Sequence, residues 1–346
     1  MSERALPRSA PARDALVETL EKFDVRSPVE FSYCGEAPID ARNFHAVSAW
    51  AATSGQGEDS LVKAIQATLY DRCYAQRENS ASKIVAPAPE FARRLAVANM
   101  GRERWDKGWV VQQFGSSGQA IVRKGDRERT ALPGLYVFDG APGMTPQIGS
   151  AVSLRAPSGS FESQPGYYFA FGETLDEMAD QLSTVRFYFN CAAESAAELL
   201  RELTLALNCF QTPFQMKMPS APDFYGRTDA GVLYVGQRYF HIVSKIVAQA
   251  LEKIALAAAT PLFAKMLWPG VAAAVEPGTG ESFGSHRCRL TAEGIVDAWL
   301  RGEQAVQARL AAVTARFAAA GLDVSRPWLG PNGVDLFQVP EPVRIQ

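Results

Sequence analysis

A lysine in the middle of an apolar run is the first residue of this sequence whose type and setting could do chemistry. Side chains alternate along an extended strand, so in PFQMKM the residues Phe214, Met216 and Met218 share one face while Gln215 and Lys217 share the other. If that second face is partly closed, loss of water lowers the pKa of the amine until its neutral form can act as a base. On an open edge strand the same lysine is only a solvated charge. The alternation in VRFYFN puts Val185, Phe187 and Phe189 on one side and a polar row of Arg186, Tyr188 and Asn190 on the other. Arg227 and Asp229 stand two residues apart in GRTDAG, a spacing that suits a local ion pair as well as a charged site. Tyr234 follows on the next apolar run. Farther on, GTGESFGSHRCR reads as a glycine-rich turn into a helix, where unpaired N–H groups with Arg287 and Arg289 just inside would hold an anion. His286, Arg289 and Glu293 fall on one side of that helix, and a histidine there is either a proton carrier or a satisfied structural side chain. With no GK[ST], the turn is neither a Walker A loop nor a dinucleotide fingerprint.

These residues need a framework, and its pattern changes along the chain. Helical spacing covers Asp14 to Phe23, Ser60 to Tyr74, with Leu61, Ile65, Leu69 and Cys73 along one stripe, and Phe91 to Met100. From Lys107 to Phe171, the short runs GWVVQQF, QAIVRKG, GLYVFDG and GYYFAFG, separated by Gly, Pro and Ser, predict an antiparallel meander. After Leu182 the order becomes strand, helix, strand, strand, helix, with helices over Glu194–Asn208, Tyr239–Ala258, Ser285–Leu300 and Glu303–Ala319. The expectation is an α+β fold with a mixed or antiparallel sheet in the C-terminal half flanked by helices, and an N-terminal helical and meander region. Three parts follow: a flexible start over 1–13, an N-terminal helical and meander region over 14–181, and a C-terminal core over 182–346.

Composition narrows the class of protein without naming its chemistry. With 346 residues, 47% hydrophobic and 21% charged, the chain can bury a large core. A formal net charge of −2 gives no global reason to expect nucleic acid or an anionic membrane as partner, so any anion site must be local. Five cysteines without CxxC spacing suit free thiols in a reducing compartment, and the three histidines include no metal pair on one helix. The start of the chain has no secretory apolar segment, and no apolar run approaches the ~20 residues that span a bilayer. A cytoplasmic protein without metal or other cofactor is expected.

The run RFYFN, then LN, PFQMKM and RTDAGVLYV, followed by GESFGSHRCRL, resembles the HopA-type type III effector family, most clearly from Val185 to Trp299. Some members of that family are bacterial effectors delivered into plant cells. Others stand beside a kinase-like partner in clusters that make class V lanthipeptides and thioamitides. There the family is taken to remove phosphate from phosphorylated Ser or Thr, leaving dehydroalanine or dehydrobutyrine. The resemblance implies a lyase that acts on a phosphorylated precursor peptide without cofactor, with the lyase core over 182–346 and peptide recognition in the region over 14–181. It makes Lys217 the base, His286 the favoured acid with Tyr234 or Asp229 as alternatives, and Arg186, Arg227, Arg287 and Arg289 the phosphate clamp. Tyr188 and Asn190 would position the peptide or orient Lys217. The competing expectation is a non-catalytic effector that binds a phosphorylated or acidic partner, secreted into a host.

Overall fold

The computed structural model describes residues 12–43, 58–77, 88–141 and 143–339. Most of the start expected to be flexible lies outside these residues, but Ala12 and Arg13 already belong to α1 (Ala12–Glu21). The fold is α+β, and every strand pairing among the described residues is antiparallel.

Three sheets follow one another along the chain. β1 (Phe23–Ser27), β2 (Glu30–Tyr33) and β3 (Ile39–Asp40) form a small ribbon. A five-stranded sheet holds β4 (Arg104–Phe114), β5 (Ala120–Lys124), β6 (Arg127–Ala131), β7 (Tyr136–Phe138) and β8 (Ala151–Ala156), in the order β6-β5-β4-β8-β7. The seven-stranded sheet holds β9 (Gly159–Ser160), β10 (Tyr167–Phe171), β11 (Thr184–Phe189), β12 (Gln215–Pro219), β13 (Gly231–Gly236), β14 (Lys265–Trp268) and β15 (Val271–Val275), in the order β14-β15-β11-β13-β12-β10-β9. The expected meander therefore loses its last run. GYYFAFG forms β10, whose Phe169 pairs with Lys217, so the large sheet draws on sequence from both sides of residue 182.

Both faces of the large sheet are covered. Val185, Phe187, Phe189, Met216, Met218 and Leu233 pack against α3 (Pro89–Ala98), α5 (Ala196–Cys209) and α6 (Phe240–Leu251). In α5, Leu199, Leu200, Leu203 and Leu207 recur at helical spacing and are all buried, which is why this helix lies flat on the sheet. The opposite face, with Tyr188, Val232, Ala272 and Ala274, packs beneath α2 (Glu58–Thr68), α7 (Phe283–Leu300) and α8 (Val306–Ala319). A one-turn helix, α4 (Met178–Leu182), leads into β11.

Helix limits moved where tertiary hydrogen bonds outbid periodicity. α6 stops at Leu251 rather than Ala258, because Ala257 N–H donates to the Asn190 carbonyl and the Asn190 amide donates to the Ala259 carbonyl. α7 starts earlier, at Phe283, since the Ser282 hydroxyl accepts a bond from the Ser285 N–H and caps the helix. The Ser60–Tyr74 helix is α2 followed by a π-helical turn over Leu69–Tyr74. Gly294 lets α7 and α8 touch, because a Cβ there would stand 2.6 Å from Val313 Cα and 2.7 Å from its nitrogen. Gly294→Ala is expected to push α8 outward and destabilise the protein by roughly 1–3 kcal/mol. Urea unfolding measures the loss, and an unchanged midpoint would contradict the close approach.

Candidate functional site

Antiparallel register brings the polar residues of β11, β13, β12 and β10 together on the face beneath α2 and α7. Arg186 pairs with Tyr234, and Tyr234 with Gln215, which makes one row. Tyr188 pairs with Val232, Val232 with Lys217 and Lys217 with Phe169, which makes the next. Paired residues share a face and diagonal neighbours are within reach of long side chains, so Arg186, Tyr234 and Lys217 form one group. Tyr167, two residues before Phe169, joins it, with the Lys217 Nζ 3.9 Å from the centre of its ring.

The turn into β13 supplies the charges beside Lys217. Arg227 forks onto Asp229, Nε to Oδ1 at 2.5 Å and Nη2 to Oδ2 at 2.7 Å, with both side chains only 7% exposed. Tyr70, from the π-helical turn, donates to Asp229 Oδ2 at 3.3 Å and accepts from Arg227 Nη2 at 3.2 Å. Thr228 donates its N–H to the Ala75 carbonyl and its hydroxyl to the Tyr74 carbonyl, which fastens the turn to the end of that helix. On the other flank Arg186 is hydrogen-bonded to Glu276 and lies 5.0 Å from the centre of the Tyr234 ring.

Burial pushes the Lys217 amine down to about 8; Asp229 opposes the shift, while Arg227 and Arg186 add to it. Three cations, Lys217, Arg186 and Arg227, meet two carboxylates here, Glu276 and Asp229. Although burial favours its neutral form, Asp229 is held below the usual carboxylate range by Arg227. It is a carboxylate at neutral pH and has no proton to give. Burial raises the Tyr234 phenol against the pull of Arg186, so Tyr234 keeps its proton.

The structure does not bring every expected residue here. Arg287 is fully buried and donates to the carbonyls of Pro327 at 2.8 Å and Leu329 at 2.8 Å, with a 2.5 Å contact to His286 Nδ1. It holds the C-terminal segment rather than an open anion site. Arg289 forks onto Glu281 and bonds Glu293 at 2.7 Å, so its donors are engaged on the outer side of α7. Burial and the neighbouring Arg287 push His286 down to about 4, which leaves it neutral at physiological pH and unsuited to protonate a leaving group. No hydrogen bond or ion pair among the described residues joins these three to Lys217, Arg186 or Arg227. Tyr188 is 1% exposed, packed between Tyr74 and Phe283, and cannot touch a peptide unless the core opens. Asn190 holds the 257–259 segment.

Sequence reasoning missed Tyr70, Tyr167 and Glu276. Alternation in GYYFAFG would have set Tyr167 with Phe169, but not beside Lys217, since strand order is a tertiary property. Among the described residues, no group of three or more His, Cys, Asp or Glu could hold a metal ion, and no helix is long and apolar enough to cross a membrane.

Residues 160–329, the stretch that builds the large sheet and this group, match the model of the HopA1 effector protein family. The match spans just under half of the chain, and over that stretch the chain is similar to the HopA1 effector family. Two solved effector structures are similar to the chain at low identity. An effector protein from Pseudomonas syringae pv. tomato strain DC3000 is 21% identical with a TM-score of 0.38, over 49% of this chain and 66% of that one. One from Pseudomonas syringae pv. syringae strain 61 is 13% identical with a TM-score of 0.41, over 76% of this chain and 87% of that one. No curated protein matches the chain.

A buried ammonium costs stability, and the sign of its pH dependence is fixed. The folded pKa of Lys217, about 8, lies below the free value of 10.5, so the folded chain binds fewer protons between them and stability rises with pH across that window. Lys217→Met is therefore expected to stabilise the protein at neutral pH by about 1–3 kcal/mol. That advantage should shrink as pH climbs from about 8 toward 10.5, in urea titrations repeated across the range. An equal effect at every pH would contradict the depressed pKa.

Proposed function

We propose that the protein is a phosphoserine or phosphothreonine lyase that eliminates phosphate from a phosphorylated peptide. The observation that carries this reading is an amine with a pKa near 8 that shares a sheet face with Arg186 and feels the charge of Arg227 in the turn into β13. β-Elimination needs a base for the Cα proton and cations for the departing phosphate. In its neutral form Lys217 takes the Cα proton, and the electron pair forms the Cα–Cβ double bond. The Cβ–O bond breaks, and phosphate leaves with its electrons toward Arg227 and Arg186. Tyr234, which keeps its proton and lies diagonal to Lys217, is placed to protonate the bridging oxygen. Ammonium and phenolate then return to their starting forms by exchange with water.

The substrate we propose is a precursor peptide phosphorylated by a kinase-like partner, the setting in which lanthipeptide-associated relatives of this family work. A second reading, a HopA1-type protein that binds a phosphorylated partner without chemistry, is favoured by one observation. Arg227 and Arg186 each already hold a carboxylate, so phosphate must compete with Asp229 and Glu276.

The test is to incubate the protein with phosphoserine and phosphothreonine peptides, without nucleotide, and follow peptide mass. Loss of phosphoric acid is the expected result, and an unchanged but bound peptide would favour the second reading. Lys217→Ala is expected to lower turnover at least about a hundredfold, the range of general-base catalysis, while peptide affinity stays within about threefold. Because the base must be neutral, kcat/KM should rise with a midpoint near pH 8 and level off above it, with the kcat midpoint higher because bound phosphate favours the ammonium. A kcat/KM profile that is flat from pH 6 to 9 would contradict Lys217 as base.

A further inference from the structure

The Lys217 group borders a cleft of about 500 Å³ that runs between the five-stranded and seven-stranded sheets. Arg129 and Arg155 line it from the small sheet, and Phe171, Gln215, Tyr234 and Arg186 from the large one. Its volume falls within the roughly 300–1,000 Å³ of ligand sites and is more than one phosphorylated side chain would fill. Since Arg186 and Tyr234 belong both to the cleft and to the Lys217 group, whatever carries a phosphate to the site has its flanking atoms in this space.

The charges along the cleft are not equivalent. Arg186 is engaged by Glu276, Arg155 by Glu103, and Asp180 by Arg238. Asp176 accepts a bond from Gln181. Arg129 differs from the other cations, since no carboxylate pairs with it among the described residues. It is opposite Val122 in the β5–β6 register and so shares the face of Trp109, with its guanidinium 5.7 Å from the centre of a Trp109 ring that is fully buried. That stacking orients the planar fork and leaves its edges for a ligand. β6 is also the outer strand of its sheet, so alternate N–H and C=O groups along it are open to an added extended chain.

We infer that the cleft between the two sheets is the track for the peptide on one side of the phosphorylated residue, with Arg129 selecting an acidic side chain there. This rests on the phosphopeptide reading and adds to it a substrate class: peptides with Asp or Glu within a few residues of the phosphorylated Ser or Thr. Asp176 also lines the cleft, and its charge repels an acidic side chain from its own surroundings.

Matched phosphoserine peptides carrying Glu or Lys at each flanking position in turn test it, with binding followed by fluorescence anisotropy on full-length protein and turnover by peptide mass. Glu at one position is expected to bind about fivefold tighter than Lys, as for a partly exposed charge pair. Arg129→Glu should reverse that preference and Arg129→Lys should keep it, the change appearing in affinity and KM. Thermal unfolding of both variants separates a folding defect from lost recognition, and a Arg129→Glu protein that melts early leaves Arg129→Gln, which should abolish the preference without reversing it. Turnover with no flank preference, or a preference unchanged by these substitutions, overturns the track while leaving the lyase intact. A flank preference in binding without any turnover upholds the track and overturns the lyase. Neither binding nor turnover overturns both.

Discussion

Arg227 and Asp229 bury opposite charges two residues apart in the turn that leads into β13, and both side chains are 7% exposed. Removing one partner would strand the other charge in the interior, at a cost of about 3–5 kcal/mol. Their geometry is fixed from outside the turn. Tyr70 bonds to both, and Thr228 bonds to the carbonyls of Tyr74 and Ala75, so the π-helical turn and the large sheet must be assembled for the pair to exist. The same pair sets the field around Lys217, where Asp229 raises and Arg227 lowers the pKa of an amine already depressed by burial. Packing of an N-terminal helix thus reaches the chemistry of a strand in the C-terminal half.

What the sequence makes legible follows from how local each feature is. Period-two alternation is a property of a single strand, so the shared face of Arg186 and Tyr188, and that of Gln215 and Lys217, could be read before any partner strand was known. The insertion of β13 between β11 and β12, which puts Tyr234 diagonal to Lys217, is a long-range choice. The Arg289–Glu293 contact at helical spacing was equally local, and the two side chains meet at 2.7 Å. Its neighbour Arg287 was misassigned because the carbonyls that hold it, Pro327 and Leu329, lie 40 and 42 residues away. Periodicity cannot tell an arginine aimed at a ligand from one satisfied by distant backbone.

The π-helical turn is the clearest case of a local irregularity with a distant effect. Leu61, Ile65 and Leu69 form a regular stripe, and continuing it as an α-helix gives no reason for Tyr70 to meet Asp229. The widened turn over Leu69–Tyr74 rotates the following side chains relative to that stripe, and both Tyr70 and Tyr74 pack toward the sheet. Here the turn places Tyr70 and Tyr74 as an aromatic wall over a charged strand face.

The proposed chemistry depends on the ionisation of one amine. Lysine side chains labelled with 13C at Cε can be titrated by NMR in the wild-type protein and in Lys217→Met, which assigns the resonance. One lysine is expected to titrate near pH 8 and to be missing from the variant. If every lysine titrates near the free value of 10.5, Lys217 is an ordinary charge and the reading of this face as a base beside a phosphate clamp is wrong.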